Sequence, residues 1–181
     1  LQPDHTDALI ELASWAVDPD VGMVAGTVRN GSGLLISGGL ILNNTSVCAT
    51  LLKGLPRQSI GYMGRGALPQ ELSAVSMDCV IIRKEIVARL GGPLAQLGLG
   101  NLAATEWCLR LREQGLKIVW CPQASWTQHS TRYRDKPNRD ARIYFDAHVR
   151  PRYQRWLSHD PAYHVAFNTL PADFTLRQPL A

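Results

Sequence analysis

The stretch EWCLRLREQGLKIVWCPQASWTQHST, residues 106–131, decides the fold because it joins a predicted helix to a predicted strand. The helix is predicted over residues 104–114 and ends at Gly115, since glycine readily adopts the conformation of a helix C-cap. The apolar run at 116–121 predicts a strand that ends at Pro122. A helix followed at once by such a strand is typical of proteins that mix helices and strands in one layered domain.

The sequence on either side of this stretch predicts further elements of both kinds. Periodic apolar residues and nearby glycines or prolines predict helices over residues 4–17, 84–90 and 138–150, the last restarting at Pro151 as a helix over 152–158. Apolar runs predict strands over residues 22–28, 34–42 and 73–82, with the first two paired like a hairpin. Residues 43–70 are predicted to form a long loop. These elements together predict an α/β fold, with a mixed sheet and flanking helices.

Length and composition indicate one folded domain or slightly more. The chain has 181 residues, of which 45% are hydrophobic and 19% charged, and this composition argues against a disordered chain. The longest apolar run, residues 33–42, is shorter than the roughly 18 residues that a membrane helix needs, and no signal peptide is recognisable. Because the sequence opens with Leu1, we expect it to be part of a longer protein.

The positive charge is concentrated near the C-terminus. Residues 132–155 hold eight Lys and Arg against three Asp, a net of +5, whereas the rest of the chain sums to −1. Interleaved tyrosines allow a nucleic-acid surface, because cations neutralise phosphate and aromatic rings stack on bases. A solvated helix face, or an anionic partner such as a nucleotide diphosphate, a lipid-linked pyrophosphate or a membrane surface, explains the charge equally well.

The four cysteines are predicted to be free thiols in a reducing compartment. They include no CxxC pair, whereas structural zinc sites usually draw their ligands from close pairs along the chain. The residues are Cys48, Cys79, Cys108 and Cys121. We therefore favour free thiols over disulfides or a zinc site.

Five segments, in this order along the chain, resemble the C-terminal half of the family-2 inverting glycosyltransferases, which have the GT-A (nucleotide-diphospho-sugar transferase) fold. The segments are DPDVGMVAGTVRNGSG, GYMGRG, SAVSMDCVIIRKEIVARLGG, the stretch quoted first, and YQRWLSHDPAYHVAFNTLPADFTL. The last is similar to the ending of such domains in large multidomain bacterial polysaccharide-assembly proteins. The resemblance implies a partial GT-A domain over residues 1–158, without its donor-binding N-terminal half, and an extended C-terminal tail over 159–181.

The resemblance also implies an activity, a metal and partners. The intact domain would transfer a sugar from a nucleotide-sugar donor to a carbohydrate acceptor with inversion, as a hexosyltransferase in O-antigen or other surface polysaccharide synthesis. Mn or Mg would serve the intact domain, but none is expected on this fragment because the metal-binding DxD motif lies in the missing half. The DxD spacing at Asp18 and Asp20 is instead interpreted as a turn.

We further expect no nucleic-acid partner and no transmembrane segment, and a cytoplasmic location that includes the inner face of the membrane. Half of such a sheet leaves an open edge and an apolar face, so self-association is also expected.

The catalytic base is the weak point of the resemblance. Inverting transfer needs a carboxylate that accepts the proton of the acceptor hydroxyl. Aligned on the helix, the family's acidic pair falls on Ala103 and Ala104, neither of which can accept a proton. Glu106 is the remaining catalytic candidate, although an acid in a first helical turn is also favoured by the helix dipole. A catalytically degenerate GT-A-like domain, acting as a scaffold or glycan-binding module, is therefore the alternative function.

Four other residues are candidates for ligand contacts by their place in the resemblance. His129 is the candidate metal ligand, although Gln128 occupies the position where relatives often have a first histidine. Arg132 and Arg134 follow it in a loop that in some relatives folds over the donor diphosphate, so they are predicted to contact the donor, with ordinary solvated charge as an equal alternative. Asp78 lies in an apolar run and, as a buried carboxylate, would contact an acceptor hydroxyl or pair with an arginine.

Overall fold

A computed structural model describes residues 1–129 and 139–177, and this part of the chain forms two sheets with helices packed against them. In chain order the elements are β1 (Gln2–Pro3), α1 (Ala8–Ala16), β2 (Val21–Asn30), β3 (Leu35–Ser37), β4 (Gly39–Asn43), β5 (Val47–Thr50), β6 (Gln70–Leu72), β7 (Ala74–Val75), β8 (Val80–Ile82), α2 (Lys84–Leu90), α3 (Asn101–Glu113), β9 (Lys117–Gln128), α4 (Arg139–Tyr144) and α5 (Arg150–Ser158). The predicted α/β fold, with a mixed sheet and flanking helices, is confirmed.

The larger sheet is built around β2 and β9, which pair in parallel with Val24 opposite Val119. Strands β3 and β8 run antiparallel to β2, and β1 and β6 run antiparallel to β9. The smaller sheet has the order β5-β4-β7, all antiparallel. Helix α1 packs on β2 and β9 around the fully buried Leu12, while α3 packs across the inner face of both sheets.

Strand β9 was predicted to end at Pro122, but it continues to Gln128. The pairing of β2 with β9 shifts register opposite Gly26, and Pro122 lies in this irregular segment, where no ladder hydrogen bond from its nitrogen is needed. A side chain at Gly26 is excluded, because its Cβ would lie 2.6 Å from the carbonyl oxygen of Ala124 and 2.5 Å from the ring of Trp126. The bulge therefore accommodates proline within a long strand.

The strand predicted over residues 34–42 is wrong as a single element, because it is two strands that belong to different sheets. Between β3 and β4 the chain passes the buried ring of Trp120 so closely that a Cβ at Gly38 would lie 2.7 Å from the indole nitrogen. That nitrogen donates a hydrogen bond to Thr27 Oγ1 at 3.1 Å. Glycine at position 38 thus lets the chain cross from one sheet to the other above the indole.

Two further predictions of local structure are corrected. Residues 43–70, predicted as a loop, contain strand β5 and a 3₁₀ turn at Tyr62–Gly64. Residues 73–82, predicted as one strand, form β7 and β8, separated by a bend. The break begins at Ser76, a buried residue whose hydroxyl is hydrogen-bonded to that of Ser37 on β3, and the buried Ser73 before β7 donates to Asp160. An apolar count along the sequence does not register these bonds.

The helices lie where they were predicted, with altered ends. Helix α1 is shorter than predicted, α2 has the predicted bounds, and α3 begins at Asn101 rather than at residue 104. After α4 a π-helical turn at Phe145–Val149 leads into α5, which has Pro151 in its first turn as predicted. No helix in residues 1–129 or 139–177 is long and apolar enough to cross a membrane.

The N-terminal segment is held against β9 by Asp4. Its carboxylate accepts hydrogen bonds from Ser125 Oγ at 2.5 Å and Thr127 Oγ1 at 2.6 Å, and forms an ion pair with Arg57 at 2.9 Å. Partial burial acts to raise the pKa of Asp4, but the bonds from Ser125, Thr127 and Arg57 outweigh it, so the pKa lies below its ordinary value. The ionised carboxylate therefore stabilises this contact.

Residues 159–177 are irregular and pack onto the smaller sheet. Tyr163, Ala172 and Phe174 are buried in the main core, and the Tyr163 hydroxyl accepts a hydrogen bond from the Phe174 amide at 2.8 Å. Asp160 is 8% exposed and accepts hydrogen bonds from the Leu42 amide at 2.7 Å, from Ser73 Oγ at 2.5 Å and from the Ala162 amide at 2.8 Å. The division of the chain at residue 158 stays a prediction, although side chains on both sides of it share one core.

Candidate functional site

A cleft of about 550 Å³ opens where the bend before β8, the end of β3 and the start of α3 meet. Its polar lining consists of Ser37, Thr50, Lys53, Asp78, Asn101 and Gln128, and Ile36, Met77 and Leu99 add apolar surface. The volume lies within the range of ordinary small-molecule sites, which combine apolar walls with a few polar groups. We refer to this cavity as the α3 cleft.

Asp78 lies at the α3 cleft, but it is exposed and not buried as predicted. The reason is the bend between β7 and β8, which turns residue 78 away from the apolar run around it. Its carboxylate oxygen Oδ2 accepts a hydrogen bond from Ser37 Oγ, so its partner there is a hydroxyl rather than the arginine considered from the sequence.

A chain of hydroxyls supports this carboxylate from the buried side. The Ser37 and Ser76 hydroxyls are hydrogen-bonded to each other, and both residues are buried. A serine has one hydroxyl proton, and that of Ser37 goes to Asp78, so Ser76 donates to Ser37. This order from Ser76 through Ser37 to Asp78 restrains the carboxylate at the cleft wall.

The first turn of α3 forms another wall of the α3 cleft. Gly100 and Asn101 line the cavity, but Ala103 and Ala104 are 0% and 1% exposed and pack in the core. The positions that the resemblance gives to the acidic pair therefore lie beneath the cleft wall and carry only methyl groups. Lys53, on the segment after β5, is the one cation among the described residues that line the cavity.

Glu106 is placed away from the α3 cleft lining and is 5% exposed. Its carboxylate binds Arg110 through Nε at 2.9 Å and Nη2 at 3.1 Å, and Arg110 also donates to the carbonyls of Leu90 and, at 2.7 Å, of Gly92. Burial raises the pKa of Glu106, and the charge of Arg110 opposes that effect. This pair joins α3 to the end of α2, which is a structural arrangement; the catalytic role of Glu106 stays a prediction.

The predicted metal ligand, His129, is not among the described residues that line the α3 cleft. His129 follows β9 next to Gln128; it is exposed, and its Nε2 lies 3.2 Å from Gln2 Oε1. Among residues 1–129 and 139–177, no three His, Cys, Asp or Glu side chains are grouped so that they could hold a metal ion. Arg132 and Arg134 lie outside the described residues.

Three of the five described arginines of the basic segment form ion pairs. Arg142 and Arg150 both bind Asp146, at 2.7 and 2.8 Å, and Arg152 binds Glu113 at 2.5 Å. Slight burial acts to raise the pKa of Asp146, but the bonds from the two arginines outweigh it and the pKa is lowered. Among the interpretations left open by the sequence, a solvated helix face describes these residues best.

All four cysteines are free thiols in the structure. Burial raises the pKa of Cys108 to about 12 and that of Cys79 to about 11, and also raises the pKa of Cys121. A thiol with a raised pKa is a poor nucleophile at neutral pH, because the thiolate is the reactive form.

Sequence reasoning missed most of the α3 cleft. Ser37, Lys53 and Asn101 come from three separate segments, and none belongs to a motif whose spacing predicts a site. The available signals were Asp78, a charged residue within an apolar run, and Gln128, which the resemblance placed at a ligand position. The residues that lie beside Asp78 in the cleft can be identified only from the tertiary structure.

Two curated proteins are similar to this chain over nearly all of its length. The chain is 30% identical over 179 residues to the uncharacterized protein y4gI of Sinorhizobium fredii, and the aligned segment covers 96% of this chain and 20% of that protein. It is 27% identical over 176 residues to the O-antigen biosynthesis protein RfbC of Myxococcus xanthus, and this aligned segment covers 94% of this chain and 13% of that protein. The chain thus spans a fifth or less of the length of these relatives. No family model and no solved structure matches the chain.

Proposed function

We propose that this chain is the acceptor-side part of an inverting glycosyltransferase that acts in bacterial surface polysaccharide synthesis. The observation that carries the proposal is the α3 cleft, where a carboxylate, a cation, hydroxyls and amides converge beside apolar surface. Groups of this kind match the hydroxyls and the apolar faces of a sugar ring. The distant similarity to an O-antigen biosynthesis protein supports the same class of substrate.

The α3 cleft can bind a carbohydrate by complementary hydrogen bonds. Asp78 accepts from sugar hydroxyls, Lys53 donates to them, and the side chains of Thr50 and Gln128 can do both. The apolar atoms of Met77 and Leu99 can pack against ring carbons. In this proposal, acceptor binding uses only residues that line this one cavity.

A divalent metal would have to be held mainly outside the residues described here. The intact domain would use Mn or Mg, but residues 1–129 and 139–177 contain no group of three suitable ligands, and His129 alone does not make a site. The described residues therefore do not fit the metal, and no step of the transfer is assigned to it.

The alternative proposal is a domain that binds glycan without transferring sugar. The observation in its favour is that the positions expected to carry the base, Ala103 and Ala104, are buried alanines. The α3 cleft would then hold a carbohydrate, and the rest of the longer protein would act on it. Assays of transfer and binding on the same protein separate the two proposals.

The test uses the full-length protein that contains this chain. It is incubated with Mn²⁺, a panel of UDP-, GDP- and dTDP-sugars and methyl glycosides as acceptors, and nucleotide release is measured. We expect nucleotide release. We also expect Lys53→Met to raise the KM for the methyl glycoside acceptor at least about fivefold, which corresponds to a loss of about 1 kcal/mol of binding free energy. Lys84→Met is the matched control, because Lys84 is exposed on α2 and lies outside the cleft lining.

Each result discriminates. Release that depends on Lys53 supports the transferase. Glycan binding without nucleotide release supports the binding module. If the protein shows no glycan binding and no nucleotide release, both proposals are contradicted. A cytoplasmic location, which includes the inner face of the membrane, stays a prediction, as does self-association. For the latter, the exposed Leu9 and Ile10 on α1 offer apolar surface.

A further inference from the structure

We propose that Asp78 is the general base of the transfer, in place of the acidic residue that Ala104 replaces. This inference rests on the proposed function and assigns the proton-accepting role within the same cleft. Asp78 is the only carboxylate among the described residues that line the α3 cleft. Glu106 does not line it and is bound to Arg110. An acceptor sugar in the cavity therefore meets Asp78 as its available carboxylate.

The position of Asp78 suits a base that serves the start of α3. The carboxylate lines the same cavity as Gly100 and Asn101, which lie within about one helical turn before the buried alanines of α3. A carboxylate on the bend before β8 can thus face the cavity in place of a carboxylate in the first turn of α3. Because Asp78 is exposed, the proton that it accepts can pass on to solvent after each turnover.

The hydroxyl chain from Ser76 through Ser37 supplies the orientation that a base needs. Ser37 occupies one carboxylate oxygen, Oδ2, and leaves Oδ1 able to accept from an acceptor hydroxyl. Both serines are buried, so this side of the carboxylate is fixed by the fold. Ser37 and Ser76 are therefore positioning residues, and only Asp78 meets the reacting atoms.

The chemical step then balances in atoms and charge. The acceptor hydroxyl gives its proton to Asp78 Oδ1 as its oxygen forms a bond to the anomeric carbon of the donor sugar. The bond from that carbon to the diphosphate oxygen breaks on the opposite face, and its electron pair leaves with the nucleoside diphosphate. Attack from the face opposite the leaving group inverts the anomeric carbon. Asp78 ends the step as a neutral carboxylic acid.

The test measures steady-state kinetics of the full-length protein with the most active nucleotide sugar and methyl glycoside from the panel above. We expect Asp78→Asn to lower kcat by about 10²–10⁴-fold, the usual contribution of a general base, with the acceptor KM changed less than about threefold. The acidic limb of the pH profile of kcat should disappear in this variant. In Asp78→Ala, added formate should restore part of kcat by supplying a diffusible carboxylate.

Two further variants complete the design. Asp7→Asn, at an exposed aspartate before α1, is the matched control and should keep the kcat of the unmodified protein. Ser37→Ala removes the positioning hydroxyl and should lower kcat by about tenfold while the acidic limb of the pH profile remains. Thermal melting of each variant checks that the fold is retained.

The outcomes separate this inference from the proposed function. If the unmodified protein releases no nucleotide, both fail. If it is active and Asp78→Asn keeps more than about a third of its kcat, the transferase stands and Asp78 is not the base. If Asp78→Asn mainly raises the acceptor KM and formate restores nothing, Asp78 only binds the acceptor, and the inference is overturned.

Discussion

Replacing Asp160 with alanine should destabilise the protein by about 3 kcal/mol, because this buried carboxylate joins three parts of the fold. It accepts hydrogen bonds from the backbone of β4, from Ser73 between β6 and β7, and from the segment that follows α5. The Leu42 amide and the Ser73 hydroxyl are buried, and each buried donor left without a partner costs about 1–3 kcal/mol. The half-buried Ala162 amide can turn to water and adds less.

One opposing effect limits the size of the loss. Burial raises the pKa of Asp160, with the hydrogen bonds from Ser73, Leu42 and Ala162 acting against it, so the folded state already bears a cost for the ionised carboxylate. Alanine removes this cost together with the bonds, which brings the net loss into the lower half of the roughly 2–6 kcal/mol expected for two unpaired buried donors. For a domain of this size, a loss of about 3 kcal/mol lowers the melting temperature by about 6–12 °C.

The assay is thermal unfolding followed by circular dichroism, with urea unfolding as a second measurement. Asp160→Asn should give an intermediate loss, because one carboxylate oxygen becomes an amide donor that faces another donor. The matched control is Asp173→Ala in the same segment, since Asp173 bonds only to Thr175 among the described residues. A melting temperature for Asp160→Ala within about 2 °C of the unmodified protein would refute the reasoning.

Three more predictions test the sheet, the helix and the N-terminal contact. Gly26→Ala should cost about 3 kcal/mol by forcing β2 and β9 apart, whereas Gly31→Ala, with open space at its Cβ, should be neutral in urea unfolding. Ala104→Asp should lower stability by at least about 2 kcal/mol, because it buries a carboxylate in the core, and Asn101→Asp at the first turn should not; equal melting temperatures would contradict this. Asp4→Asn should cost about 1–2 kcal/mol at pH 7. Because the pKa of Asp4 is lowered in the folded state, this difference in stability should be present at pH values above 3.8, the ordinary pKa. It should vanish as the pH falls through the folded pKa, and a difference that grows in acid would contradict the prediction.

The sequence predicted the elements whose causes are local. Helix α2 has the predicted bounds because Gly91 ends it with a backbone conformation that glycine adopts at little cost, at φ 75°. The turn at Asp18 and Asp20 was also correct, since Asp18 Oδ1 accepts a hydrogen bond from the Asp20 amide at 2.9 Å. In both cases the deciding contacts lie within a few residues along the chain.

The errors came from contacts between distant residues. Residues 34–42 have the apolar character of one strand, but the approach of Trp120 to Gly38 divides them between two sheets. Pro122 should end a strand, but the bulge opposite Gly26 accommodates it. Neither Trp120 nor Gly26 is near the affected segment in sequence, so no local pattern contains the information.

By itself the sequence determined the α/β class, the helical segments and the absence of an acidic pair at Ala103 and Ala104, because these follow from residue type and local periodicity. Only the tertiary structure decided that Glu106 is paired with Arg110 within the fold and that Asp78 stands exposed at a cleft wall. The physical reason is that a carboxylate's role depends on its solvation and its hydrogen-bond partners. For Asp78 that partner is Ser37, which lies 41 residues away in the chain and meets it only where the bend before β8 reaches the end of β3.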